Sequence, residues 1–124
     1  MCKIKSAVLI DNCAINNFLN SKILESYGIT NLISFNNPNK ALDYLKETNY
    51  RYQLILVDIF MPIMDGFEFI DTFYDLKINK KHGKLIILSS TMDPYHNEMS
   101  KMKKIKIIEK PLSIDKILLN MNVN

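Results

Sequence analysis

Four chemically capable side chains each follow a short apolar run in this chain. Asp11 comes after AVLI, Asp58 after LILV, Ser89 after LIIL and Lys110 after IKIIE. One polar residue after an apolar run is ordinarily the start of a loop. A set of them at corresponding positions predicts convergence on one rim, provided that the runs are neighbouring strands of a sheet. Two carboxylates, a hydroxyl and an ammonium on one rim fit phosphoryl transfer to a carboxylate. Asp58 would be the nucleophile, forming an acyl phosphate. Such transfer needs positioning and charge neutralisation more than proton movement. A divalent cation between Asp11 and Asp58 would supply the neutralisation, and hard oxygen donors with retained waters suit Mg²⁺. Lys110 would hold one phosphoryl oxygen as a point charge, and the Ser89 hydroxyl would donate to another.

The elements that must position these residues show as alternating periods. Apolar runs at 4–10, 31–35, 53–57, 84–89 and 105–108 predict five strands. The third is almost wholly apolar, as a central parallel strand covered on both faces would be. A first helix from Asn12 to Tyr27 puts Ile15, Phe18, Leu19 and Ile23 on one face, and Gly28 stops it. Asn37 caps a second, with Pro38 in its first turn and Ala41, Tyr44 and Leu45 inward. Asp65 caps a third over 66–76 that buries Phe67, Ile70 and Phe73. A fourth stacks Tyr95, Met99 and Met102 on one face, and a fifth from about Ser113 turns Ile114, Ile117, Leu118 and Met121 inward. Strict alternation implies an α/β fold, a doubly wound five-stranded parallel sheet with five helices on its two faces. Right-handed crossovers follow. The expected order is the flavodoxin-like 2-1-3-4-5, with functional groups outside the carboxyl ends of the strands.

Composition narrows the classes. The 124 residues are expected to form one domain, 1–124, of ordinary size. A hydrophobic fraction of 48% and a charged fraction of 23% are those of a globular chain and argue against disorder. The net charge of +3 is too small to imply a nucleic-acid partner. Lys101, Lys103, Lys104 and Lys106 read as a solvated loop and strand edge. Cys2 and Cys13 have neither the number nor the spacing of a disulfide framework or zinc site and are taken as reduced thiols. No apolar stretch approaches the roughly 18 residues of a membrane span. The N-terminal run is too short for a signal peptide, so a cytoplasmic protein is expected.

The motifs LIDN (9–12), LVDIFMPIMDG (56–66), ILSS (87–90) and EKPL (109–112) carry a resemblance. Over its full length the chain resembles the response-regulator receiver domains of two-component signalling, with the receiver form of the flavodoxin-like fold. The resemblance implies a stand-alone phosphoacceptor domain with Asp58 as the phosphorylated residue. It makes Asp11 a metal-site acid, the Phe60 backbone carbonyl a metal ligand, Ser89 the switch hydroxyl and Lys110 the phosphate partner. Mg²⁺ is the implied cofactor, and a sensor histidine kinase or histidine phosphotransfer protein the implied donor. It further implies a signalling domain that catalyses only its own phosphorylation and dephosphorylation, and a Lys110–Pro111 peptide that is commonly cis.

Two positions depart from the family's pattern. Asn12 stands where a second adjacent acid is usual, and Ile107 where an aromatic usually reports phosphorylation by rotating. Signal would then travel through Ser89 and the loop from Ser90 to Pro94. An alternative is a pseudo-receiver, the same fold used as a protein-binding module without phosphorylation. An aspartate-based phosphatase would want a second carboxylate two residues after the nucleophile, where Phe60 stands. A flavin or nucleotide binder would want a glycine-rich turn after the first strand, and DNCAINN has none.

Overall fold

The computed structural model describes residues 4–90 and 94–121. Five strands alternate with five helices: β1 (Ser6–Ile10), α1 (Ala14–Ser26), β2 (Asn31–Phe35), α2 (Pro38–Glu47), β3 (Leu54–Asp58), α3 (Gly66–Asp75), β4 (Lys84–Ser89), α4 (Pro94–Lys103), β5 (Lys106–Glu109) and α5 (Ile114–Met121). A 3-10 turn at Ile78–Lys80, which no periodicity announced, leads into β4. The sheet is parallel in the order β2-β1-β3-β4-β5, as expected. Cys2 and residues 91–93 of the loop before α4 lie outside the described residues.

Strand alternation divides the core in two. Val8, Ile10, Ile55, Val57 and Ile87 face α2 and α3, where Leu45, Phe69, Ile70 and Phe73 meet them. Ala7, Leu9, Leu56, Ile86 and Leu88 face α1 and α5, where Leu24, Ile114 and Ile117 meet them. Central strands buried on both faces are what their unbroken apolar runs demand. Met61 is buried and Met64 packs against the first cluster, so both methionines of the MPIMDG loop serve packing.

The caps follow the expected chemistry. Asn37 Oδ1 accepts from the Asn39 and Lys40 amides with Pro38 at the start of α2. Asp65 and Glu68 form a reciprocal capping box at α3. Gly28 takes φ +91 after α1, a backbone that suits a residue without Cβ. Lys110–Pro111 is cis.

Three helix faces differ from the expectation. On α1, Ile15, Phe18 and Leu19 are exposed, while Asn17 and Leu24 are buried. The Asn17 amide turns inward and donates to the carbonyls of Asp11 and Phe35, both at 3.0 Å, joining the Asp11 amide on the Phe35 carbonyl. On α4, Tyr95 and Met102 are exposed and only Met99 reaches the core. His96 is buried instead, its ring 5.4 Å from that of Phe60. On α5, Leu118 is exposed because Ile114 and Ile117 take the sheet face.

At the opposite end of the strands from Asp58, buried His82 ties three segments. Its Nδ1 accepts from the Tyr52 amide at 3.0 Å, so the Nε2 proton is the one aimed at the Leu45 carbonyl at 3.2 Å. Burial, with help from Lys81 and Arg51, pushes its pKa below the ordinary 6.5 despite the Leu45 bond. A depressed histidine contributes stability that is full above pH 6.5 and is lost as pH falls through that value toward the folded pKa. Thermal melts of wild type and His82→Gln between pH 7.5 and 5 check this. The variant should melt about 5 °C lower at the neutral end, with a shallower fall toward acid. Equal slopes would show that His82 does not carry the loss of stability in acid.

Candidate functional site

Asp58 is the last residue of β3, and the pairing of Ile10 with Val57 brings Asp11 alongside it. Both side chains are buried. The chain leaves β5 through Glu109, and the Lys110 amide donates to the Ser89 carbonyl at 2.7 Å, which turns the lysine over the strand ends. Lys110 Nζ lies 2.7 Å from Asp58 Oδ1 and 3.4 Å from Asp11 Oδ2. Ser89 is fully buried, one residue beyond Leu88, the pairing partner of Asp58. The structure thus joins Asp11, Asp58 and Lys110 by direct contact and brings Ser89 in through the register and the Lys110 amide.

Local backbone fixes the two carboxylates. Asp58 Oδ2 accepts from the Phe60 amide at 3.1 Å, which places the loop after β3 against the acid. Asp11 Oδ1 accepts from the Cys13 amide at 2.9 Å, and its Oδ2 from Asn16 Nδ2 at 3.3 Å. Gly66 lets α3 start directly behind this loop. A Cβ there would stand 3.0 Å from Ile59 Cα and 3.1 Å from the Asp58 carbonyl, so any side chain would push on the acid-bearing strand. Asn16 and Asn17 are site-supporting residues that the sequence did not single out. Their signal, two asparagines in the first turns of a helix, has no meaning until the helix's rotation is known.

The electrostatics are those of an under-neutralised pocket. Burial raises the Asp58 pKa above 3.8, and the Asp11 charge adds to this, while the Lys110 bond and the Phe60 amide act against it. Burial would lower the Lys110 pKa, but its bond to Asp58 and the charges of Asp58 and Asp11 outweigh that and hold it above 10.5. Two carboxylates share one ammonium, which leaves one negative charge uncompensated when all three groups are ionised.

That excess charge, on oxygen donors, fits a hard divalent cation. The acids number two, and among the described residues no group of three or more His, Cys, Asp or Glu could hold a metal. Asn12, at the position of the missing acid, is exposed in the turn after β1. Ile107 is half-buried and packs on the core beside α2 and α3, so it anchors β5 in place of an aromatic.

The comparisons agree with this geometry. The model of the response regulator receiver domain matches residues 7–122. In an alignment of 130 positions that covers 96% of this chain, the protein is 27% identical to hybrid signal transduction histidine kinase B of Dictyostelium discoideum, and it spans 6% of that protein's length. A two-component response regulator from Cytophaga hutchinsonii superposes with a TM-score of 0.81 at 31% identity, covering 97% of this chain and 95% of the other. The receiver domain of the histidine kinase CKI1 from Arabidopsis thaliana, solved with Mg²⁺ and BeF₃⁻, superposes with a TM-score of 0.80 at 15% identity over 94% and 87% of the two chains. The chain belongs to the response regulator receiver domain family of two-component signalling.

Proposed function

We propose that this receiver accepts a phosphoryl group on Asp58 from the phosphohistidine of a sensor kinase or histidine phosphotransfer protein, and signals by the resulting conformational change. The observation that carries the reading is the Lys110 ammonium bound to a buried carboxylate at the open end of a parallel sheet. The ionised Asp58 needs no general base. Its oxygen attacks phosphorus in line, the P–N bond of the donor breaks, and the imidazole leaves as an acyl phosphate forms. Lys110 holds a developing phosphoryl charge, and Ser89 at the next strand end donates to the transferred group. Asp11, Asp58 and the Phe60 carbonyl would hold Mg²⁺, the ion with which the CKI1 receiver was solved, and the ion would supply neutralisation of phosphoryl charge. Domain 1–124 works on this reading as one cytoplasmic unit; among the described residues no helix is long and apolar enough to cross a membrane.

The donor's docking site follows from α1. Its exposed Leu19 lines a groove of about 450 Å³ that also takes in Ile23, Pro111, Leu112 and Lys110 itself. An apolar surface that runs up to the Lys110 ammonium suits a helical partner that must bring a phosphohistidine to Asp58.

Intact mass after incubation with acetyl phosphate and Mg²⁺ tests the reading. One base-labile phosphoryl adduct is the expected result. A protein without mass gain under conditions where it remains folded would overturn the proposal.

Asn12 sets the expected strength of the cation. An amide in place of a carboxylate removes one unit of charge, worth about 4 kcal/mol at 4 Å and an effective dielectric of 20 before desolvation offsets most of it. Mg²⁺ should bind Asn12→Asp roughly one to two decades more tightly than wild type. Without Mg²⁺ the wild type should be the more stable of the two, because the variant adds a third acid to the pocket. Titrations followed by NMR decide; equal affinities would place residue 12 away from the ion.

A further inference from the structure

Lys116 has an unusual set of bonds for a lysine on the first turn of a helix. Its Nζ donates at 2.8 Å to the carbonyl of Glu109 and at 2.8 Å to that of Pro111. These carbonyls flank Lys110 on either side. The rest of Lys116 is tied down as well: its amide donates to Ser113 Oγ at 3.2 Å, and its carbonyl accepts from Asn120 Nδ2 at 2.8 Å. The side chain therefore runs from a fixed point on α5 back to the turn that carries the site's ammonium.

We propose that Lys116 is a positioning residue for Lys110, clamping the 109–111 turn so that the Lys110 ammonium is held against Asp58 and Asp11. The two acids hold the Lys110 ammonium, but the backbone beneath it is less tied. Its amide is fixed by the Ser89 carbonyl, but the turn after it leaves the sheet, and Pro111 has no N–H to bond. Two strong bonds from one ammonium supply what the turn lacks, and they do so from its solvent side, since Pro111 is exposed. A cation here also gives each of the two carbonyls a charge-assisted bond. An ångström of play in Lys110 would matter, because phosphoryl transfer is helped mainly by groups already in place.

The inference rests on the proposed phosphoacceptor reading only for its kinetic arm. Three proteins are compared: wild type, Lys116→Met, which keeps the stem without the donors, and Lys116→Arg, which can still donate to both carbonyls. Nitrogen-15 spectra of the lysine ammonium groups report Lys110 directly. In wild type its resonance should be sharp and slowly exchanging, in Lys116→Met broadened or lost, and in Lys116→Arg restored. Phosphoryl uptake from acetyl phosphate with Mg²⁺ should fall about five- to tenfold in Lys116→Met and recover in Lys116→Arg. In a Lys110→Ala background the Met substitution should cost less than twofold, because a positioning residue has nothing left to position. An unchanged Lys110 resonance in folded Lys116→Met, or an equal loss of uptake in both backgrounds, would overturn the clamp. Wild type that takes up no phosphoryl group defeats the functional reading instead, and the resonances still decide on Lys116.

Discussion

Asp58→Asn should take up no phosphoryl group, and in metal-free buffer at neutral pH it should melt higher than the wild type. The first half follows from the loss of the carboxylate that both Lys110 and the Phe60 amide orient. The second follows from the cost of keeping that carboxylate ionised. Asp58 is only 5% exposed, and burial with the nearby Asp11 raises its pKa above 3.8 in spite of Lys110. A raised acid binds its proton more tightly in the folded than in the unfolded chain. Stability from this group is therefore greatest in acid and falls as pH rises from 3.8 through the folded pKa. At pH 7 the cost is complete, and the amide removes it while Lys110 keeps Asp11. A rise of about 3 °C is expected, shrinking toward pH 4 as the wild-type carboxyl takes up its proton. Mass spectrometry and melts over pH 4–7.5 check both halves. An adduct of unchanged yield in the variant would move the acceptor elsewhere, and a lower melting point at pH 7 would show that Asp58 is net stabilising as the anion.

Lys110→Ala should produce the largest loss of stability among changes at the rim. It leaves Asp11 and Asp58 side by side, both buried, with no cation between them. Removing one member of a buried pair costs ~3–5 kcal/mol. The Lys110 side chain is 23% exposed, so solvent screens part of this and about 2–3 kcal/mol remains. The fold should persist, since no core residue is touched, with a melting point lowered by about 10 °C. Acid should narrow the gap by protonating Asp58, and Mg²⁺ should close part of it by replacing the lost charge. Phosphoryl uptake should fall about a hundredfold, the scale for losing one preorganised charge at a reacting group. A melting point within 2 °C of wild type at pH 7 and low salt, a window set by the exposed-pair range, would show that the ammonium contributes little to the rim.

Much of the architecture was legible before any coordinates. Five apolar runs of strand length, separated by helical periods and by caps such as Asn37 and Asp65, leave little choice but a parallel sheet covered on both faces. Asp11, Asp58, Ser89 and Lys110 could be singled out for the same reason, since in such a sheet the residues after each strand share a rim. These inferences need only near neighbours in the chain.

What the tertiary structure decided depends on distant partners. The apolar face of α1 looked like core, yet Ile15, Phe18 and Leu19 are exposed, and the helix instead turns Leu24 into the core and Asn17 to a carbonyl on β2, 18 residues away. His96, buried where Tyr95 is not, likewise meets rings on other elements, those of Phe60 and Phe67. Lys110 and Asp11 meet across 99 residues, and no local pattern reveals that the ammonium bridges two acids at unequal distances. Helical period names the face a helix could bury, but the rotation it adopts is fixed by the residues that meet the sheet, here Leu24 in the core and Asn17 on the carbonyls of Asp11 and Phe35, which come from outside the helix.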